Sequence, residues 1–88
     1  MRRQYKQRLQ RFLAEQLMRF RTEQNLSQEM MAEKLAISPR AYIDLEHGKY
    51  ACSMMTCLLF LLGLKDEAVL QLLRECRTLL EAADRDAA

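Results

Sequence analysis

The residues of this chain best suited to recognise another molecule stand in the stretch SPRAYIDLEHGK, at positions 38–49. Arg40 and Asp44 are four residues apart, so a helix would place them as neighbours on one side. The arginine is a planar donor for bidentate hydrogen bonds, whereas an ionised carboxylate only accepts them. The pair could therefore recognise polar groups of a partner, or the two charges could bind each other and read nothing.

The residues needed for catalysis or metal binding do not occur in useful combinations. His47 is the only histidine, and Cys52, Cys57 and Cys76 show neither a CxxC pair nor another metal-ligand spacing. The sequence also lacks a glycine-rich phosphate loop and a pair of carboxylates that would indicate a catalytic cleft. We therefore expect no enzyme activity, no cofactor, no metal and no small-molecule ligand.

Length and composition indicate one small helical domain. The chain has 88 residues, of which 50% are hydrophobic and 30% charged, with two glycines and one proline. This content is too apolar for a disordered chain, and so few turn residues favour helices over strands, so the predicted class is all-α. The apolar run at 51–64 is too short to span a bilayer, and no secretion signal follows the basic N-terminus. Together with cysteines that fit reduced thiols, these features predict a cytoplasmic protein.

The spacing of apolar residues predicts five helices around one core. Ser27 and Ser38 are expected to cap the second and third helices, Pro39 suits a first helical position, and Gly48 suits the left-handed residue after the third. The expected spans are about 3–24, 28–35 and 39–47, then a largely buried helix from Ser53 to Gly63, then a helix capped by Asp66 that ends near 83. Two short helices joined by about three residues have the spacing of a helix-turn-helix.

The segment SQEMMAEKLAISPRAYIDLEHGK resembles the helix-turn-helix of the Cro and lambda-repressor-like family, also called the Xre family. The residues that carry this resemblance are Ser27-Gln28, Ala32, Ile37-Ser38 and Glu46-His47-Gly48, and it covers about residues 13–65. It implies an all-α, five-helix, lambda-repressor-like DNA-binding domain with the helix-turn-helix at helices 2 and 3. Ala36 departs from the pattern, because many members have glycine at this turn position.

The resemblance also implies roles for individual residues. The third helix would lie in the major groove, with Arg40 suited to guanine N7 and O6 and Ile43 to a thymine methyl group. Asp44 could accept a hydrogen bond from cytosine N4, hold Arg40 in place, or only neutralise it. Gln28 would hydrogen-bond to the DNA backbone or brace the first reading residue. The residues expected to bind DNA are Gln28, Ser38, Pro39, Arg40, Ile43, Asp44 and Lys49.

Two further parts of the chain complete this interpretation. By resemblance, Arg21 and Glu46 form an ion pair that sets the angle of the third helix. Within a single domain of residues 1–88, residues 1–12 form a basic extension that either lengthens the first helix along DNA or joins a subunit contact. Residues 66–83 form a C-terminal helix, whose apolar stripe predicts a homodimer interface that includes Leu73, Cys76 and Leu80.

The predicted function is a sequence-specific regulator of transcription of the Xre or Cro type, which binds double-stranded DNA as a homodimer in a bacterial or phage-infected cytoplasm. The alternative is a helix-turn-helix module that binds a protein, such as an antitoxin or adaptor, with little DNA binding. Residues 25–50 favour this alternative because they carry more acidic than basic side chains. The basic first helix and Arg40 favour DNA.

Overall fold

The computed structural model describes the backbone of residues 2–87 and the side chains of residues 5–85. The side chains of Arg2 and Arg3, which belong to the predicted basic extension, lie outside these described residues. The described chain forms five helices and no strand, which confirms the all-α class. The helices are α1 (Arg2–Glu23), α2 (Gln28–Lys34), α3 (Pro39–Glu46), α4 (Met54–Leu62) and α5 (Asp66–Ala87).

The first three helices all end in the same way, with a left-handed residue just after the helix. These residues are Asn25 (φ 56°), Ala36 (φ 58°) and Gly48 (φ 72°). In each case the left-handed residue and the one after it donate backbone hydrogen bonds into the last helical turn, as in Ala36 N to Glu33 O (3.1 Å) and Ile37 N to Ala32 O (3.0 Å). Ala36 holds this conformation with a Cβ, which costs about 1 kcal/mol relative to glycine.

Two of these helix ends lead directly into the next helix. Asn25 and Ala36 are each followed by one apolar residue, Leu26 or Ile37, and then by a capping serine. The Oγ atoms of Ser27 and Ser38 accept hydrogen bonds from Met30 N and Ala41 N, both at 3.1 Å, which confirms the two predicted caps. Since both apolar residues pack against the core, each turn is fixed at its two ends and in the middle.

The core lies where α1, α2, α3 and α4 meet. Its buried side chains are Leu17, Met31, Ala32, Leu35, Tyr42 and Phe60. Ala32 is 1% exposed at the place where α2 and α3 cross, and its small side chain lets the two helices approach closely. Phe20 meets Phe60 edge to face, with ring centroids 5.6 Å apart. The shared core therefore packs both α3 and α4 against the long helix α1.

The prediction that α4 is largely buried was wrong. Thr56 and Phe60 are buried, but the opposite side of the helix is exposed. The exposed apolar side chains of α4 are Met54 (75% exposed), Met55 (68%), Leu58 (47%) and Leu62 (81%). A nine-residue helix at the surface of so small a core can bury only one of its sides. Its sequence, MMTCLLFLL, has no charged residue that would have marked the other side.

The long helices α1 and α5 pack against each other and close the domain. Asp66 is the first residue of α5 and lies in its first turn, so the prediction that it caps this helix was wrong. Its negative charge still suits the N-terminal end of the helix dipole. On the outer side of α5, Leu70 and Leu73 are 52% and 48% exposed.

Candidate nucleic-acid interface

The orientation of α3 is fixed by a buried carboxylate near its C-terminal end. Arg21 of α1 donates from Nε to Glu46 Oε2 at 2.7 Å and from Nη2 to Glu46 Oε1 at 2.9 Å. The same guanidinium donates from Nη1 to the backbone oxygen of Leu26 at 3.1 Å. The Glu46 side chain is only 2% exposed and that of Arg21 is 19% exposed. A bidentate pair of this kind holds both partners in one geometry, so α3 cannot rotate against α1 without breaking it.

Two more donors complete the surroundings of Glu46. Tyr42 lies one turn earlier on α3 and donates from its hydroxyl to Glu46 Oε2 at 2.6 Å. Gln28, the first residue of α2, donates from Nε2 to Glu46 Oε1 at 3.1 Å. One carboxylate therefore connects α1, α2 and α3, which are the elements of the helix-turn-helix and its support.

The electrostatics of this cluster keep Glu46 ionised. Burial alone would raise the pKa of the Glu46 carboxyl, but hydrogen bonds from Arg21, Tyr42 and Gln28 outweigh it and lower the pKa below its ordinary value of 4.5. The hydrogen bond to Glu46 raises the pKa of Arg21. Burial, followed by the bond to Glu46, raises the pKa of Tyr42. The cluster is therefore a fixed structural unit with one ion pair at neutral pH.

The exposed side of α3 carries a second group of charges around Asp44. Its carboxylate Oδ1 lies 3.9 Å from Arg40 Nε and 3.7 Å from Lys49 Nζ. The Asp44 side chain is 14% exposed, whereas those of Arg40 and Lys49 are 80% and 56% exposed. Both distances exceed hydrogen-bond length. Neither cation is therefore hydrogen-bonded to Asp44, and both cationic side chains are largely exposed to solvent beside a half-buried acid.

Lys49 reaches this position because of the turn that ends α3. Gly48 is left-handed, and the next amide, Lys49 N, donates to the backbone oxygen of Asp44 at 2.9 Å. This bond folds the chain back over the last turn of α3. It therefore brings a cation from outside the helix next to the helical pair of Arg40 and Asp44.

The other predicted contact residues lie at the start of α3, in its middle and at the start of α2. Ser38 is exposed, and its hydroxyl accepts the capping hydrogen bond from Ala41 N. Pro39 is exposed at the first helical position, and Ile43 is half-buried. Among the predicted residues, the structure brings Arg40, Asp44 and Lys49 together in one group. It places Gln28 beside Glu46, and Gln28 forms no hydrogen bond with the residues of α3 that are predicted to read DNA.

The sequence interpretation missed that Tyr42 and Gln28 bind Glu46. Tyr42 was assigned only to the core, which it does occupy at 0% exposure, but its hydroxyl also reaches the carboxylate. The spacing of Tyr42 and Glu46, four residues apart on one helix, was a signal that could have shown this contact. No comparable local signal exists for Gln28, because it stands 18 residues from Glu46 along the chain.

The extended part of α1 runs beside the end of α3. Gln10 donates from Nε2 to the backbone oxygen of Gly48 at 3.3 Å. A shallow groove between the two elements is lined by Gln7, Gln10, Arg11, Ala14, Glu15, Glu46, His47 and Gly48. Arg11 is exposed at this groove, next to the turn that carries Lys49. Helix α1 begins at Arg2, which agrees with the helix expected over about 3–24, and Arg11 adds a further cation near the exposed end of α3.

The described residues contain neither a candidate metal site nor a helix that could span a membrane. No group of histidine, cysteine, aspartate or glutamate in that part of the chain could hold a metal ion. No helix formed by the described residues is long and apolar enough to cross a membrane.

Comparison with protein families supports a helix-turn-helix domain. A helix-turn-helix family model matches residues 17–64, more than half of the chain. The chain belongs to the Cro/C1-type helix-turn-helix family. The matched region contains all of α2, α3 and α4 together with the end of α1, so it includes both Glu46 and the Asp44 group. Comparisons with curated proteins and with solved structures found no match.

This membership confirms the resemblance and the lambda-repressor-like fold that it implied. Cro/C1-type helix-turn-helix domains belong to DNA-binding regulators and are not typically enzymes. Residues 1–16 and 65–88 lie outside the matched region. The first part of α1 and all of α5 therefore lie outside the part of the chain that the family model covers.

Proposed function

We propose that this protein is a sequence-specific regulator that binds double-stranded DNA with α3 in the major groove. The observation that carries the proposal is the contrast within α3. The Glu46 cluster holds the helix rigidly on one side, while Arg40 extends from the other side at 80% side-chain exposure. A helix with a fixed orientation and an extended arginine fits bidentate contact with a guanine edge.

Within this proposal, each residue of the exposed group has a distinct role. Arg40 reads a base, Lys49 contacts a phosphate, and Asp44 keeps the net charge between them low. Ile43 lies next to Asp44 on the same helix and offers a methyl contact to thymine. Ser38 and Pro39 fix the start of α3 at the groove edge. Gln28 is held by its hydrogen bond to Glu46, and its remaining amide proton can be donated to the DNA backbone.

The extended α1 supports the same function through phosphate contacts. Arg11 lies beside the turn at Gly48, so a duplex that touches Lys49 would pass close to it. Arg11→Ala should reduce the slope of log affinity against log salt by about one, the effect expected for losing one phosphate contact. Arg74→Ala, at an exposed arginine of α5, is the matched control. An unchanged slope in Arg11→Ala would remove the extension from the DNA contact.

A homodimer is part of the proposal. Six apolar side chains on the outer sides of α4 and α5 are about half or more exposed: Met54, Met55, Leu58, Leu62, Leu70 and Leu73. So many large apolar side chains exposed on two helices of a small domain favour an interaction site. Two copies related by a two-fold axis would place two α3 helices on half-sites about 34 Å apart.

The experiment that tests the proposal is selection of bound sequences from random duplex DNA. The wild-type protein should enrich a palindromic or near-palindromic site. Arg40→Ala should enrich no site, or a site that has lost one guanine in each half, whereas Arg74→Ala should enrich the wild-type site. Failure of the wild-type protein to enrich any sequence would contradict the proposal.

The second candidate is a protein-binding module, which the exposed apolar side of α4 favours. Residues 25–50 carry three basic and four acidic side chains, so this surface is not strongly positive. Salt separates the two candidates. DNA binding should weaken steeply as salt rises, because each neutralised phosphate releases counterions. A partner module that binds through α4 should show no such dependence on duplex DNA.

A further inference from the structure

The outer side of α5 carries a row of four residues, Asp66, Leu70, Leu73 and Arg77, which we call the α5 row. Their spacing of four, three and four residues places them on one face of the helix. All four are exposed, the two leucines at 52% and 48%. Among the described residues, neither Asp66 nor Arg77 takes part in an ion pair or side-chain hydrogen bond.

The α5 row has the same spacing when it is read from either end, but its two ends have opposite charges. Two copies of α5 packed antiparallel around the middle of the row would place Leu70 of each against Leu73 of the other. Asp66 of each would meet Arg77 of the other, and this contact would occur twice because of the symmetry. A parallel pair would instead bring aspartate to aspartate and arginine to arginine.

We infer that the α5 row is the centre of a homodimer interface in which two α5 helices pack antiparallel about a two-fold axis between Leu70 and Leu73. The inference rests on the homodimer of the proposed function and specifies its surface and register. The row spans about 16 Å along the helix at 1.5 Å per residue. Leu62, the last residue of α4, is 81% exposed and precedes Asp66 by four residues along the chain.

The α5 row differs from the interface predicted from sequence. Leu73 belongs to both, but Cys76 and Leu80 are half-buried and lie beside the row. Burial also raises the pKa of the Cys76 thiol, which fits a position turned partly toward the domain. The centre of the α5 row is formed by Leu70 and Leu73 instead of Cys76 and Leu80. The outer side of α4 can add apolar area, but it carries no charge that could fix a register.

Charge reversal tests the inference. Asp66→Arg and Arg77→Asp, each alone, should place like charges opposite each other at both ends of the row and weaken dimerisation by roughly tenfold or more. The double variant Asp66→Arg with Arg77→Asp should dimerise as the wild type does, because each end again meets its opposite. Sedimentation at micromolar concentration measures the dimer fraction, and circular dichroism checks the helix content of each variant.

Mixing the two single variants gives the sharpest result. One chain then carries two arginines on the row and the other two aspartates, so a mixed pair has attractive contacts at both ends. Native mass spectrometry should find mainly mixed dimers in a mixture of two proteins that dimerise poorly alone. Glu67→Arg makes the same charge change in the same helical turn but off the row, and it should leave dimerisation unchanged.

Each contrary outcome has a separate meaning. Single reversals that dimerise as the wild type does, or a mixture without mixed dimers, would overturn the α5 register and leave the proposed function standing. A monomeric wild type would overturn both the register and the homodimer. Should a reversal fail to fold, neutral Asp66→Asn with Arg77→Gln replaces it. Salt should weaken the wild-type dimer but not this variant, and equal salt responses would also overturn the inference.

Discussion

Helix α3 carries two carboxylates only two residues apart, Asp44 and Glu46, which differ in burial and in the distances to their partners. Glu46 is 2% exposed and receives four hydrogen bonds from Arg21, Tyr42 and Gln28, at 2.6 to 3.1 Å. Asp44 Oδ1 lies 3.7 Å from Lys49 Nζ and 3.9 Å from Arg40 Nε, and both of these cationic side chains are exposed to solvent. The comparison shows that residue type alone does not assign a role. Burial and distance make one acid a structural element and leave the other with weakly held, accessible partners.

The largest difference between the two acids should appear in stability. Arg21→Ala leaves the buried Glu46 carboxylate without its main partner and should destabilise the domain by about 3 to 5 kcal/mol. Arg40→Ala removes a partner of Asp44 that is 80% exposed and should change the free energy of unfolding by less than about 0.5 kcal/mol. Chemical denaturation measures both. Equal small effects would mean that the Glu46 cluster does not hold α3.

Lowering the pH should reveal the role of Glu46 through a loss of stability, which is the second-largest effect that we expect. The folded pKa of Glu46 lies below its ordinary value of 4.5, so the unfolded chain binds a proton more readily than the folded one. The stabilisation from this group is therefore complete above about pH 4.5 and is lost as the pH falls through the folded pKa. Thermal unfolding between pH 6 and pH 3 should show this loss in the wild type.

Two variants make the acid experiment specific. Glu46→Gln cannot titrate, so its stability should be lower at pH 6 and should change less down to pH 3. Asp44→Asn is the matched control, because it removes a carboxylate from the same helix but outside the cluster. The loss of stability that comes from Glu46 should still be present in this variant. An acid response that disappears in Asp44→Asn instead would reverse the assignment of the two acids.

The smallest effect concerns how Asp44 acts on DNA binding. Its distance of 3.9 Å from Arg40 is too long for a hydrogen bond that would aim the guanidinium, and Lys49 competes for the same oxygen. We therefore expect Asp44→Asn to strengthen binding to every duplex by a few-fold, because one repulsive charge is removed, while the preferred site stays the same. Fluorescence anisotropy on several duplexes measures this. A loss of site preference would show instead that Asp44 positions Arg40.

Local sequence signals were sufficient for much of the fold. Ser27 and Ser38 cap their helices as predicted, and Gly48 is left-handed, because caps and turns depend on residues within a few positions of each other. Local signals were not sufficient to predict the whole Glu46 cluster. The resemblance implied the pair of Arg21 and Glu46, but Gln28 joins it only through the packing of α2 against α3, which no short motif encodes.

The errors came from one segment without a charge pattern and from one helix boundary. All nine residues of Met54–Leu62 are uncharged, so the sequence could not indicate that one side of α4 would remain exposed. Asp66 is a common capping residue, yet α5 begins one residue earlier than a cap at Asp66 would require. How much of α5 faces the domain also depends on the position of α1, because the two helices meet only in the folded structure.

The central claim is that Arg40 reads a base from a helix that Glu46 holds in place. Its most direct test is the affinity of Arg40→Ala for a selected site and for a scrambled duplex, at one salt concentration. The account predicts a loss of about 1 to 3 kcal/mol on the selected site and a much smaller loss on the scrambled one. An equal loss on both duplexes would make Arg40 a phosphate contact and would contradict the claim.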